Sequence, residues 1–199
     1  ISGEKVYDGT GTVLASQIDT VNTAGGETLT ISGEGSVSLP SVGTNKSITL
    51  NTLGISDGTN GTIGLASNYT LDSGSFDITT KPITLSGSRQ YDGTTDVASS
   101  DLTLIGQVSG ESISITGTGS VTDKNVGAGK TINTTGLSLA DNTSNASNYS
   151  LSTGTFTINN KILSISGTRA YDGSTTVSSG NISCLLDTSD AADDPTCVD

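Results

Sequence analysis

The chain has 199 residues and a formal charge of −12 from 8 basic and 20 acidic side chains, and so acidic a surface argues against nucleic-acid binding because it repels phosphate backbones. Hydrophobic residues make up 31% of the chain, below the roughly 45–50% of ordinary globular proteins, so we expect a thin core. No apolar run approaches the roughly 20 residues that span a bilayer, so we expect no membrane insertion in this fragment. The chain contains no His, the usual general base at neutral pH, and we therefore expect no enzyme and no catalytic residue.

A Tyr-Asp-Gly triplet near the start of the chain recurs twice. It begins at Tyr7, Tyr91 and Tyr171, so the copies are 84 and then 80 residues apart. The segments that follow Tyr7 keep the offset of 84, whereas Phe76 and Phe156 are 80 residues apart. Four extra residues of the first copy therefore lie between about residues 51 and 68, in the polar stretch 56–61. An insertion of this kind predicts a surface loop.

The repeat divides the chain into four predicted parts. Residues 1–80 form a first repeat whose first strand is truncated, and residues 81–160 form a second repeat. Residues 161–183 begin a third, which is too short to bury a core of its own. Residues 184–199 break the pattern and form a separate tail.

Alternating apolar residues predict short strands along the second repeat. They centre on Ile83 and Leu85, on Leu102 and Leu104, on Ile113 and Ile115, and on residues 131–139, 149–151 and 155–158. Turn signals rich in Gly, Asn and Asp separate them. The fold class predicted is all-β, with tandem immunoglobulin-like β-sandwich repeats of about 80 residues stacked end to end.

The connections between repeats are short. Residues 76–83 pass from the last strand of one repeat to the first strand of the next with almost no linker, and residues 156–163 do the same. Without a Gly/Ser tether, neighbouring repeats should stack into a stiff row. The expected partners are therefore the neighbouring repeats of the same chain.

The Tyr-Asp-Gly triplet allows two interpretations. Asp8, Asp92 and Asp172 could be calcium or glycan ligands, or each Asp could accept a hydrogen bond from the backbone two residues on, with Gly in the strained position and Tyr covering the edge of the core. We favour the turn, because repetition in every copy suits architecture better than one specific site.

Calcium stays an open alternative. No Asp-x-Asp-x-Asp-Gly loop is present and the acidic residues are scattered singly, whereas hard cations prefer clustered carboxylates and carbonyls. The alternative is a site assembled at a repeat boundary, for example from Asp77 or Asp123. We assign no metal ligand, no cofactor-binding residue and no cofactor.

Three segments of the second repeat together resemble a known family. Residues 85–95 contain the Tyr-Asp-Gly triplet, residues 117–127 read Gly-Thr-Gly-Ser-Val followed by Lys-Asn-Val-Gly, and residues 148–151 read Asn-Tyr-Ser-Leu. This combination resembles the YDG-domain repeat, and the resemblance extends over residues 1–183. The first repeat departs from the pattern at residues 4–6, which read Glu-Lys-Val.

The resemblance implies a location and an architecture. YDG repeats are often arrayed in tandem in very large bacterial surface and secreted proteins, including haemagglutinin-type adhesins, and they carry no catalytic residues. We therefore expect an extracellular, non-catalytic spacer or stalk. The alternative is a module that binds a host or matrix glycan or protein directly through the loop at residues 54–67, with calcium as a possible rigidifying ion.

The tail differs from the rest of the chain in composition. Residues 184–199 contain both cysteines, Cys184 and Cys197, and five Asp but no Gly. They closely resemble the conceptual translation of a sequencing-library adapter, with Asp187 in place of an expected Tyr. We therefore expect a metagenomic fragment whose native sequence ends near Ser183; a genuine acidic tail is the alternative.

Overall fold

The computed structural model describes residues 1–185, and its regular elements are eighteen short strands and six single-turn 3-10 helices. Within this range, no helix is long and apolar enough to cross a membrane. The all-β prediction is confirmed.

The first repeat contains eight strands and three 3-10 helices. The strands are β1 (Ser2–Val6), β2 (Thr12–Leu14), β3 (Ile18–Thr20), β4 (Leu29–Ser32), β5 (Glu34–Val37), β6 (Gly43–Thr49), β7 (Gly54–Asp57) and β8 (Ser75–Thr79), and the 3-10 helices are Ala15–Gln17, Ala24–Gly26 and Ala66–Asn68.

The second repeat contains eight strands and two 3-10 helices, and the third contains two strands and one 3-10 helix. The strands are β9 (Lys81–Gln90), β10 (Asp96–Ala98), β11 (Leu102–Ile105), β12 (Ile113–Ser120), β13 (Gly127–Thr131), β14 (Leu137–Asp141), β15 (Tyr149–Leu151) and β16 (Thr155–Asn159), then β17 (Ser164–Gly167) and β18 (Ile182–Leu185); the 3-10 helices are Ser99–Asp101, Ala146–Asn148 and Ser179–Asn181.

The two complete repeats share one strand order. In the first, β3, β1, β8 and β6 are neighbours, and in the second β11, β9, β16 and β13 are neighbours in the same order. In both repeats the first and last long strands pair in parallel. The pairing of β5 with β6 joins β2 and β5 to this sheet in the first repeat, whereas β10, β12 and β14 form a separate sheet in the second. The immunoglobulin-like arrangement itself stays a prediction.

The buried side chains repeat in the register that the sequence predicts. Six core positions of the first repeat have the same buried residue type in the second: Val13 and Val97, Val37 and Val121, Ile48 and Ile132, Leu53 and Leu137, Phe76 and Phe156, Ile78 and Ile158. The first four pairs keep the offset of 84 and the last two keep 80. The two repeats therefore build their cores from equivalent strands.

The prediction of one strand through residues 131–139 is wrong. Strand β13 ends at Thr131 and β14 begins at Leu137. Between them the amide of Leu137 donates to the carbonyl of Thr134 over 2.9 Å, and Gly136 has a φ of +93°. Residues 133–136 read Asn-Thr-Thr-Gly, and Ile132 and Leu137 are five positions apart, so the apolar alternation is interrupted at this turn.

The insertion of the first repeat lies in a loop that an equivalent hydrogen bond closes in both repeats. The amide of Ala66 donates to Asp57 over 2.7 Å, and in the second repeat the amide of Ala146 donates to Asp141 over the same 2.7 Å. The intervening loop has eight residues in the first repeat, at positions 58–65, and four in the second. The predicted insertion between residues 51 and 68 is therefore confirmed.

The third repeat is represented by β17 and β18, which pair as an antiparallel hairpin. All four residues of β17 are exposed. Cys184 and Leu185 of the predicted tail belong to β18, whereas residues 186–199, with Cys197, lie outside the described residues.

Candidate functional site at the repeat junction

The Tyr-Asp-Gly triplet forms the same turn in all three copies. The amides of Thr10, Thr94 and Ser174 donate to Asp8, Asp92 and Asp172 over 2.8, 2.9 and 2.9 Å. The glycines that follow have φ values of +81°, +86° and +76°, a conformation in which side chains are strained. The predicted hydrogen bond to the Asp side chain and the predicted strained position of the Gly are both confirmed.

A basic side chain two residues before each Tyr completes the turn. Buried Lys5 contacts Asp8 at 3.0 Å and also donates to the carbonyls of Thr10 and Thr12 at 2.9 and 2.8 Å. Three donors on one ammonium group thus satisfy three acceptors of the turn.

Arginine takes the place of Lys5 in the other two repeats. Arg89 binds Asp92 and donates to the carbonyls of Thr94 and Asp96, over 2.8 and 3.2 Å. Arg169 contacts Asp172 at 2.6 Å. Sequence reasoning missed this cation, because the first repeat was treated as a departure at residues 4–6; the recurrence of Lys or Arg at the repeat offset was the signal that could have found it.

These contacts set the charge state of the turn aspartates. Partial burial alone would raise the pKa of Asp8, but the hydrogen bonds from Thr10 and Lys5 outweigh it and lower the pKa. The pKa of Asp92 is lowered in the same way, against partial burial, by hydrogen bonds from Thr94 and by Arg89. Each carboxylate is thus an anion held by its own repeat, and an incoming cation would have to displace Lys5 or Arg89.

Asp77 and Asp123, the two acidic residues considered for a metal site at a repeat boundary, bind different partners in different loops. Asp77 accepts a hydrogen bond from the amide of Asn45 over 2.8 Å. Asp123 binds Lys130 at 2.8 Å, and this hydrogen bond lowers the pKa of Asp123. Within residues 1–185, no group of three or more acidic, His or Cys side chains is arranged to hold a metal ion.

The tyrosine of the first turn inserts into the second repeat. The ring of Tyr7 packs edge-on against that of Tyr149, with 5.6 Å between centroids and 81° between planes. The hydroxyls of both tyrosines donate to Glu111, Tyr7 to Oε1 over 2.5 Å and Tyr149 to Oε2 over 2.6 Å. One carboxylate therefore links the two repeats, and Tyr7 does more than cover the edge of its own core.

Further contacts make the junction continuous with the first core. The amide of Val42 donates to the side chain of Asn148 over 3.0 Å. Ile83, Ile113 and Tyr149 of the second repeat belong to the same buried cluster as Phe76 and Ile78 of the first repeat. We call the contacts of Tyr7 and Val42 with Glu111, Asn148 and Tyr149 the junction.

The junction favours the protonated form of its tyrosines. Burial raises the pKa of Tyr7 to about 12, and the hydrogen bond to Glu111 and the charge of that carboxylate add to the effect. Burial and the same Glu111 also raise the pKa of Tyr149. Both hydroxyls are therefore donors throughout the physiological pH range.

The first repeat has an equivalent Glu–Tyr pair, Glu27 and Tyr69, at the end opposite the junction. Tyr69 donates to Glu27 over 2.6 Å, and this bond raises the pKa of Tyr69. The amide of Ala24 donates to the Tyr69 hydroxyl over 3.0 Å, as the amide of Val108 donates to Tyr149 over 3.1 Å. Tyr69 is only half-buried, whereas Tyr149 is buried. Each of the two complete repeats thus has a Tyr-Asp-Gly turn and a Glu–Tyr pair, and at the junction the pair of the second repeat receives the turn of the first.

Comparison with known proteins agrees with this repeated architecture. The model of the YDG domain matches residues 2–76 and again residues 78–157. No curated protein and no solved structure matches the chain. The chain belongs to the YDG domain family and carries two consecutive copies of its domain.

Proposed function

We propose that this chain is a non-catalytic spacer segment of a bacterial cell-surface or secreted adhesin, in which stacked YDG repeats hold a binding region away from the cell. The observation that carries the proposal is the junction, where Tyr7 enters the second repeat and shares Glu111 with Tyr149. A buried cluster that spans both repeats resists independent motion, because bending would expose apolar surface. Stiffness of this kind is what a spacer needs.

The basic side chains of the turns compete with calcium for the turn aspartates. Lys5 and Arg89 already neutralise the turn aspartates from within each repeat. We therefore propose that stacking is independent of calcium.

The test is small-angle X-ray scattering on the full chain at dilute concentration, in calcium and in chelator. We expect an elongated particle with the same maximum dimension in both conditions. Tyr7→Ala should produce the scattering of flexibly joined repeats, whereas Tyr91→Ala is the matched control, because Tyr91 lines an open cavity after the second repeat. Flexible repeats in the unmodified chain, or stiffness lost on chelation, would contradict the proposal.

The inserted loop at residues 58–65 favours a second candidate function, direct binding of a protein. Its backbone is fixed on Thr28, whose amide donates to Thr62 over 2.7 Å and whose carbonyl accepts from Gly64 over 3.0 Å. Two apolar side chains on this loop, Ile63 and Leu65, are 55% and 51% exposed. Exposed aliphatic groups on a fixed loop suit a protein partner better than a glycan, which stacks on aromatic rings.

Shortening this loop to the four-residue form of positions 142–145 tests the second candidate. The fold should persist, because the Asp141–Ala146 hydrogen bond spans the short loop in the second repeat. Binding to extracellular matrix proteins immobilised on an array should be lost in the shortened variant, while an Asp92→Asn variant keeps it. Equal binding by the shortened and unmodified chains would exclude this loop as the binding surface.

A further inference from the structure

The inserted loop of the first repeat, residues 58–65, contains the only Asn-Gly step in the sequence, Asn60 followed by Gly61. Both residues are exposed to solvent. An Asn that precedes Gly is chemically labile, because glycine has no Cβ to keep its main-chain nitrogen away from the side-chain amide of the preceding residue. The equivalent loop of the second repeat reads Asn-Thr-Ser-Asn at residues 142–145 and has no such step.

The contacts of Asn60 and Gly61 leave the reacting atoms free. Within residues 1–185, the amide of Gly61 donates to no main-chain carbonyl. The side-chain nitrogen of Asn60 has one hydrogen-bond partner in this range, the Thr59 hydroxyl, and the distance of 3.5 Å is at the outer limit for a hydrogen bond. Gly61 has a φ of +69°, and glycine changes the sign of φ at little cost, so its nitrogen can turn towards Asn60.

The four Asp-Gly steps of the chain differ in this respect. Each turn aspartate accepts a hydrogen bond from the amide two residues on and pairs with a basic side chain of its own repeat. At the fourth step, Asp57 accepts from the amide of Ala66 over 2.7 Å, and the amide of Gly58 donates to the carbonyl of Gly64 over 3.1 Å. These side chains are held in their own contacts and are not free to swing onto the following nitrogen.

We propose that Asn60 is a site of spontaneous deamidation. The main-chain nitrogen of Gly61 attacks the side-chain carbon Cγ of Asn60 and forms a new C–N bond, which closes a succinimide ring. The bond between Cγ and the side-chain nitrogen breaks, and this nitrogen leaves as ammonia with the proton that the Gly61 nitrogen gives up. Water then adds to either carbonyl of the exposed ring and opens it, which leaves aspartate or isoaspartate at position 60.

The reaction changes both the charge and the path of the inserted loop. Either product carries a carboxylate in place of a neutral amide, on a loop that already lies against Glu27: a Cβ on Gly64 would be 3.0 Å from the Glu27 carboxylate. Isoaspartate also lengthens the main chain by one atom, next to the point where the Thr28 hydroxyl binds the carbonyl of Asn60. The hydrogen bond from the amide of Gly64 to the carbonyl of Thr28 should therefore open more often.

Peptide mapping by mass spectrometry, after incubation of the full chain at neutral pH, tests the proposal. We expect position 60 to exchange NH for O and to separate into an aspartate and an isoaspartate form. Asn142 is the matched control, because it begins the equivalent loop but binds Ser112 over 3.0 Å and precedes the β-branched Thr143. Conversion at position 60 should be at least about tenfold faster than at position 142.

Gly61→Ala should slow the conversion about tenfold, because a Cβ hinders the approach of the main-chain nitrogen. The new methyl group has room, since it would lie 3.8 Å from the nearest atom, on Thr28. Equal rates at positions 60 and 142, or an unchanged rate in Gly61→Ala, would overturn the proposal.

Hydrogen exchange tests the effect on the loop. The amide of Gly64 should exchange faster in the incubated chain and in an Asn60→Asp variant, whereas the amide of Leu137, which closes the turn between β13 and β14, should be unaffected in both. Unchanged exchange at Gly64 would contradict the predicted opening of the loop. None of these measurements depends on how the repeats stack, so the spacer proposal and the deamidation proposal fail separately.

Discussion

At the scale of single residues, the turn depends on a cation that the triplet does not contain. Lys5 is buried, yet its partner Asp8 is half exposed. The Lys5 ammonium also binds two backbone carbonyls, those of Thr10 and Thr12. Removing it should therefore cost more than removing an ordinary surface ion pair, which is worth about 0–1 kcal/mol.

Replacement of Lys5 by Met tests this role. Lys5→Met should destabilise the first repeat by about 1–3 kcal/mol, because it removes the cation that pairs with Asp8 and the donor to the carbonyls of Thr10 and Thr12. Lys5→Arg should lose much less, since Arg89 performs the same task in the second repeat. Urea denaturation measures the free energy of unfolding of each variant. Equal stability of Lys5→Met and the unmodified chain would show that the ion pair contributes nothing.

At the scale of strands and turns, the sequence predicts what depends on local chemistry. The Tyr-Asp-Gly turn follows from an Asp that accepts from the backbone two residues on and a Gly that tolerates positive φ, and both are visible in the triplet. The insertion follows from a change of offset between two copies. The break at residues 132–136 was visible in the same way, because Asn-Thr-Thr-Gly at residues 133–136 interrupts the apolar alternation and is typical of a turn.

The junction was accessible from the sequence only in part. The short connections at residues 76–83 indicated close repeats, but Glu111 lies far from Tyr7 along the chain, and no local pattern pairs them. Glu27 and Glu111 are equivalent at the offset of 84, as are Lys5 and Arg89. Such recurrence marks a position as structural without showing which residue it contacts, since contacts between repeats depend on how the strands are arranged in space.

At the scale of the whole molecule, the junction makes stability depend on pH at the alkaline end. Tyr7 loses its proton near pH 10.0 in the unfolded chain but near pH 12 in the junction. The unfolded state therefore releases this proton first as the pH rises, and the folded state is penalised. The contribution of the junction should be complete below pH 10 and be lost progressively between about pH 10 and pH 12.

Thermal unfolding across that pH range measures the effect. The melting temperature of the unmodified chain should fall steeply above pH 10. The Tyr7→Phe variant lacks the hydrogen bond to Glu111, so its melting temperature should be lower at neutral pH. Because Phe cannot ionise, the melting temperature of this variant should decline less as the pH rises. The decline that is left in the variant reflects Tyr149, whose pKa is also raised. Identical slopes for the two proteins would contradict the assignment of the loss to Tyr7.

The parallel pairing of first and last strands has a mechanical consequence. Because β1 and β8 run in the same direction, the chain enters a repeat at one end of this strand pair and leaves it at the other end. Five residue pairs, from Ser2 with Ser75 to Val6 with Thr79, connect the two strands. The second repeat is arranged alike, with β9 against β16. Tension applied along the chain then loads all the rungs of the pair together in shear, whereas an antiparallel pair pulled from one end would open rung by rung. Each repeat is thus built to bear a pulling force along the direction in which the chain runs.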